Sequence, residues 1–238
     1  MGNYTEMAEY YDTIMLSGYY DYDLIAKSID YLYSGTKILE VGCGSGLILE
    51  RLAKQIQVNS LSLTGVDLTE AMLEIAKKRL SHIDSAHIQL FEQNVVTLQL
   101  PEYYDMAFSY GGPWYFSKQD GQLRFISHLL KHADNEQSLE RLSHHIRSGG
   151  SLLLGIQGGH YDYSTTISNG MLYSQKITPT DKGFMKDYYL SKRDDVVMSQ
   201  RLHYRVYSFE EAVDMLSQHQ LEYQSENEAQ LFTVFKKA

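Results

Sequence analysis

The sequence predicts an α/β domain on a mainly parallel sheet with helices on both faces, and three observations carry that prediction. Short apolar runs alternate with segments of helical period from residue 37 onward, the pattern of strands buried between two helical layers and joined by right-handed crossovers. A glycine-rich turn, Gly42-Cys43-Gly44-Ser45-Gly46, stands between the first such run and the first such helix. The length, 238 residues with 43% hydrophobic content, suits one domain with an ample core and is short for two.

Ahead of the sheet, Leu24, Ile25, Ile29 and Leu32 recur at helical spacing across 21–33, and a shorter segment at 7–15 also reads as helical. KILEV at 37–41 is the first strand, and 47–56, with Leu47, Ile48, Leu52 and Ile56 on one side, is the helix after it. The unit repeats as strand 61–66, helix 69–80 with Thr69 placed to cap it, and strand 86–91. A fourth strand falls at 104–109. Leu123, Ile126, Leu129, Leu130, Leu139, Leu142 and Ile146 then predict a helical region leading to the Ser148-Gly149-Gly150 turn and a fifth strand at 152–154.

From 158 to 207 the alternation stops. Strand-like pieces at 171–177, 186–191 and 196–206 are separated by the turn signals Asp181-Lys182-Gly183 and Arg193-Asp194-Asp195, which predicts an antiparallel insertion over the carboxyl edge of the sheet. A helix at 208–219, opened by a Ser208-x-x-Glu211 capping box, and strands at 221–226 and 231–235 bring the sheet to seven strands.

Composition narrows the function. The formal charge of −9, without a long basic run, argues against nucleic acid as substrate, because neutralising a phosphate backbone takes clustered Lys and Arg. No segment approaches the roughly 18 apolar residues that span a bilayer, and the start, MGNYTEMAEYYD, is acidic and aromatic rather than signal-like. The one cysteine, Cys43, makes no internal disulfide and cannot alone build a metal site. A cytoplasmic protein with a small-molecule partner, no metal, no nucleic acid and no membrane is expected, as monomer or homodimer. Tyrosine is the unusual residue: the chain has 20, against one tryptophan, and positions 4, 10, 11, 19, 20, 22, 31 and 33 are all tyrosine. Such a cluster either packs amphipathic helices or lines a pocket for a partly polar or cationic ligand.

In open α/β sheets ligands bind outside the carboxyl ends of the strands, where a glycine turn lets backbone approach the ligand and helix N-terminal amides face it. The spacing here is G-x-G-x-G, with Leu47 where a dinucleotide fingerprint places its last glycine, so a nicotinamide-dependent oxidoreductase is disfavoured. Asp67 closes the second strand, where a carboxylate accepts both hydroxyls of a ribose or caps the following helix.

Taken in order, ILEVGCGSG, GVDLTEAMLEIAKKRL, EQNVVTL, YYDMAFSYGGPWYF and RSGGSLLL resemble the motif series of class I S-adenosylmethionine (SAM)-dependent methyltransferases across residues 37–156. The resemblance implies a Rossmann-like fold, SAM as cofactor and S-adenosylhomocysteine as product. It implies that Glu40, Gly42, Cys43 and Gly44 surround the methionine part of SAM, Asp67 and Leu68 the ribose, and Asn94 and Val95 the adenine. Asn94 departs from the family's usual aspartate and would accept from the adenine amino group through its amide oxygen.

The N-terminal tyrosines, the Ser-Gly-Gly turn and the late insertion further resemble small-molecule N-methyltransferases, including those acting on amino sugars. On that basis the chain is one domain over 1–238, with 1–36 as a helical lid and 158–207 as the substrate-side insertion. Tyr4 and Tyr11 are the candidates to face the methyl donor. Tyr110, beside the cofactor, and Trp114 and Tyr115 occupy the segment where the family presents polar residues to the acceptor; a histidine sometimes found there is absent. His160, just past the fifth strand, is the candidate base, with His203 behind it, while His144 and His145 read as surface. Trp114 either cages a cation or fills the core. An amine nitrogen is the expected acceptor, O-methylation the alternative, a protein substrate a more distant one, and a non-catalytic SAM-binding protein a different class altogether.

Overall fold

The computed structural model describes residues 4–56, 60–84, 86–193 and 195–238. Helices α1 (Ala8–Met15) and α2 (Tyr22–Leu32) precede β1 (Lys37–Val41), α3 (Leu47–Gln55), β2 (Ser62–Asp67), α4 (Glu70–Leu80), β3 (His87–Glu92) and β4 (Tyr104–Ser109). Next come β5 (Trp114–Gln119), β6 (Gln122–Ser127), α5 (His132–His144) and the long strand β7 (Ile146–Gly158). Strands β8 (Tyr163–Thr166), β9 (Leu172–Thr180), β10 (Gly183–Lys192) and β11 (Asp195–Ser208) follow, and α6 (Phe209–Ser217), β12 (Leu221–Glu226) and β13 (Phe232–Lys237) end the chain.

The expected seven-stranded sheet is present in the order β3-β2-β1-β4-β7-β13-β12. Its first five strands run parallel, β13 runs antiparallel to β7, and β12, antiparallel to β13, points the same way as the first five. Alternation along the strands sends side chains to two cores. Ile38 and Leu63 pack with Ile25, Ile29, Leu52 and Leu73 from α2, α3 and α4, whereas Leu39 and Val66 pack with Leu139, Leu142, Met215 and Leu216 from α5 and α6. Burial on both faces is why these strands read as continuous apolar runs. Helix α6 starts with the predicted capping box, the Ser208 hydroxyl accepting from the Glu211 amide and the Glu211 carboxylate from the Ser208 amide. Thr69 holds the N-cap position of α4 but makes no side-chain cap; its hydroxyl accepts from the Tyr4 amide instead.

The sheet does not stop at seven strands. The tip of β7 runs past the end of β4 and pairs there with β5, and β6, β11, β10, β9 and β8 extend from β5 as an antiparallel layer. The β5–β6 hairpin corrects the helical reading of 123–130. Its turn, Asp120-Gly121, has both residues at positive φ, 51° and 76°, the hairpin geometry that Asp-Gly favours, and the helix begins only at His132. Of the expected turn at 193–195, Asp194 lies outside the described residues.

Candidate active site

The turn after β1 is tied to the next strand by its own backbone. Gly42 and Cys43 amides donate to the Val66 carbonyl at 2.7 and 3.0 Å. Asp67, at the carboxyl end of β2, accepts from the Gly44 amide at 2.9 Å and the Thr69 amide at 2.8 Å, which leaves further lone pairs on both carboxylate oxygens. Gly42 has φ 80°, and a Cβ there would stand 2.5 Å from the Gly112 Cα. Gly44 has φ 52°, and a Cβ there would touch the Tyr11 ring at 3.8 Å without a clash. Gly42 is thus needed for close backbone packing, and Gly44 for keeping a cavity clear.

Two cavities meet over this turn. The first is bounded by Gly42, Gly44, Asp67, Leu68, Gln93 and Val95. The second runs from Glu40, Cys43 and Tyr110 to Tyr115, His128, His160 and Lys186. Tyr4, Tyr11, Gly42, Gly111 and His128 line both. The roof is the N-terminal segment, held by Asp12 of α1, whose carboxylate accepts from the Ser45 hydroxyl at 2.5 Å and pairs with Arg79 of α4. Rings interlock beneath it: Tyr4 lies edge-on to Tyr11 at 6.1 Å, and Tyr20 edge-on to Tyr110 at 5.3 Å.

Burial sets the protonation states. It pushes the Tyr4 hydroxyl up to about 12 and Tyr115 well above its ordinary value, so these phenols are neutral near pH 7. His128 and His160 are driven down to about 3, first by burial and then by Lys186 nearby, so both imidazoles are uncharged. Burial lowers Lys186 only to about 8, which leaves it mostly cationic at pH 7. At the other end, burial and then Asp67 hold Glu40 well above the usual carboxylate range. Two buried atoms on the lining of the second cavity, Glu40 Oε2 and Gln157 Nε2, have no hydrogen-bond partner among the described residues.

Of the residues singled out from sequence, Glu40, Gly42, Cys43, Tyr4, Tyr11, Tyr110, Tyr115 and His160 line the second cavity, and Gly44, Asp67, Leu68 and Val95 the first. Tyr115 and His160 are partners, hydroxyl to Nε2, at 3.1 Å. Asn94 is not among the residues that line the cavity: its side-chain Oδ1 accepts from the Val96 amide and caps a short 3₁₀ turn, while its neighbours Gln93 and Val95 line the cavity. Trp114 is fully buried, its indole donating to Asn135 at 3.3 Å, so it fills the core. His203 is exposed. His145, read as surface, is buried, and its Nε2 accepts from the Leu100 amide at 3.2 Å. The sequence reading passed over His128, Gln157, Lys186, Tyr188 and Tyr204. One signal was available: Phe184, Lys186, Tyr188 and Leu190 alternate as inward positions of one strand, and a lysine in such a series is out of place.

A glycine turn and a strand-end carboxylate thus stand beside an aromatic cavity at the carboxyl edge of a Rossmann-like sheet. Residues 38–150 match the family model described as a methyltransferase domain. The chain is 26% identical over 167 residues to malonyl-(acyl-carrier protein) O-methyltransferase 1 of Ilyobacter polytropus, an alignment covering 66% of this chain and 55% of that protein. The chain spans about half the length of the curated relatives it matches. SAM-bound CalS10, an amino pentose methyltransferase from Micromonospora echinaspora involved in calicheamicin biosynthesis, superposes with a TM-score of 0.68 at 15% identity, over 96% of this chain and 97% of that one. The sugar N-methyltransferase KedS8 from Streptoalloteichus superposes with a TM-score of 0.66 at 14% identity, over 100% and 94%. The fold is therefore that of the SAM-dependent methyltransferases, including the antiparallel layer beyond the seven-stranded sheet. Among the described residues no helix is long and apolar enough to cross a membrane.

Proposed function

We propose that the chain is a SAM-dependent methyltransferase that methylates an amine of a small, freely diffusing acceptor in the cytoplasm. The observation that carries this reading is the junction of the two cavities at Tyr4, Tyr11, Gly42 and His128, where a donor in one and an acceptor in the other would meet. The residues fit the cofactor. Asp67 keeps lone pairs for a ribose diol, Leu68 and Val95 flank space for an adenine, and Gly44 leaves room between them. The orphaned Glu40 oxygen suits the ammonium of the methionine part, whose positive charge would draw the carboxyl toward ionisation.

When bound, SAM supplies a methyl group on a positively charged sulfur, which becomes a neutral thioether as the methyl leaves. For transfer, the nitrogen lone pair must be free, so the protein has to favour the unprotonated amine and hold it in line with the methyl. Burial among the tyrosines does the first, since a desolvated pocket disfavours the charged ammonium form. The aromatic roof of Tyr4 and Tyr11 excludes water and presents electron-rich ring faces near the sulfonium position. After the nitrogen–carbon bond forms, the product ammonium sheds a proton. His160, neutral and paired with Tyr115, borders both the inner cavity and an outer one beneath Tyr161 and Tyr163, and so offers a relay toward solvent.

A second reading, methylation of an oxygen, is favoured by Lys186, which would stabilise an oxyanion nucleophile. Incubating the protein with methyl-labelled SAM and a panel of small amines, phenols and carboxylic acids, and locating the label by NMR, separates the two. Label on nitrogen supports the proposal, and label confined to oxygen replaces it.

A further inference from the structure

Among the described residues, Lys186 is a buried charge without a counter-charge. It is 3% exposed, on the inward face of β10. Its ammonium lies 3.4 Å from the Tyr19 hydroxyl and 4.9 Å from the centroid of the Tyr188 ring, and among the described residues it makes no ion pair. The adjacent Asp187 is no help, since both its oxygens are taken by Arg201 on the opposite face of the layer. The other groups around Lys186 are all neutral: Tyr19 from the turn before α2, Tyr188 on β10, Ile177 and Gln175 on β9, Leu202 and Tyr204 on β11, His128 after β6, and His160 after β7. Among the described residues, the one carboxyl group lining the inner cavity is that of Glu40, at its proposed cofactor end, and none lines the outer cavity. Buried cations in proteins are paired as a rule, because an isolated one costs several kcal/mol of lost hydration. Lys186 also lines both the inner and the outer cavity, so it stands at the passage between them.

We infer that the acceptor carries an acid group, a carboxylate or a phosphate, separate from the atom that is methylated, and that Lys186 with the Tyr19 hydroxyl seats this group at the mouth of the inner cavity. The inference rests on the acceptor reading above and narrows it: an amine on an acid-bearing small molecule, its acid end outward at Lys186 and its nitrogen inward toward Tyr4 and His128. Selectivity follows from the same geometry. A simple amine leaves Lys186 unpaired, whereas an acid-bearing one both neutralises it and fixes the reach of the nitrogen.

The test uses acetate and inorganic phosphate as separate probes, titrated by NMR into the protein with and without S-adenosylhomocysteine. At least one anion is expected to bind saturably, and which one does so distinguishes carboxylate from phosphate. Lys186→Met should weaken that binding about tenfold or more, while Lys186→Arg retains it. Because Lys186→Met removes an unpaired buried charge, its melting temperature should match or exceed that of the wild type, and Lys186→Gln serves as a second neutral variant. Saturable binding of neither anion, or equal binding to the neutral variants, overturns the inference. Failure of S-adenosylhomocysteine to bind while anion binding persists counts instead against the methyltransferase reading.

Discussion

Asp67 and Glu40 make opposite demands on the solvent, and each yields a test. Asp67→Ala removes the acceptor proposed for the ribose hydroxyls together with the brace on the Gly44 amide; with charge-assisted hydrogen bonds worth about 1.5–3 kcal/mol each, affinity for S-adenosylhomocysteine should fall about tenfold or more by calorimetry. Wild-type affinity would reduce Asp67 to a turn residue. Glu40 is buried with its carboxyl held well above the usual range, so between the ordinary carboxylate value and its folded one the native state keeps a proton that the unfolded chain has lost. Stability of the ligand-free protein should therefore fall as pH rises through that window, and Glu40→Gln should flatten the slope. The proposed ammonium beside Glu40 reverses the preference, so S-adenosylhomocysteine binding near neutral pH should release protons from the wild type and none from Glu40→Gln, as read from calorimetry in buffers of different ionisation heat. Glu40 was legible because it stands just ahead of the glycine turn, and Asp67 because it ends the second strand, where an open α/β sheet meets its ligand. His128 and Lys186 were not, since their roles depend on which strand lies beside which, and no local spacing encodes that.

At the scale of elements, the parallel core was readable because each strand is a short apolar run with turn chemistry at both ends, and KILEV and 104–109 match β1 and β4 residue for residue. The β5–β6 hairpin escaped because Leu123, Ile126, Leu129 and Leu130 happen to fall at helical spacing, while the Asp120-Gly121 pair, the stronger local signal, sits just ahead of them. The capping box at α6 offers a local stability test: Ser208→Ala should cost about 1 kcal/mol in denaturant unfolding and leave cofactor affinity unchanged. The N-terminal helices bear on function more directly. Tyr4, Tyr11, Tyr19, Tyr20 and Tyr22 all line the inner cavity, and Asp12 ties α1 to Arg79. If this roof closes on the cofactor, amide exchange across 4–22 should slow when S-adenosylhomocysteine is added, and removing residues 1–20 should abolish turnover while the sheet still folds. Equal exchange with and without ligand would leave the tyrosines as packing alone.

For the molecule as a whole, one long strand organises the function. The first part of β7 completes the cofactor-side sheet between β4 and β13, and its tip carries the antiparallel layer that brings Lys186, Tyr188 and Tyr204 over the glycine turn. The two cavities are therefore built on one connected sheet, and the proposed donor and acceptor sites are held in register by backbone hydrogen bonds. The central claim is that a methyl group crosses from one cavity to the other. The most direct measurement is transfer of an isotopically labelled methyl from SAM into the small-molecule fraction of a cell extract, with mass-spectrometric identification of the product and Gly44→Val as the control. The account predicts a labelled small amine bearing an acid group and an equal amount of S-adenosylhomocysteine, both lost in Gly44→Val, whose side chain would fill the space that Gly44 keeps open. Cofactor binding with no labelled product in any fraction, or the same product yield from Gly44→Val, would contradict it.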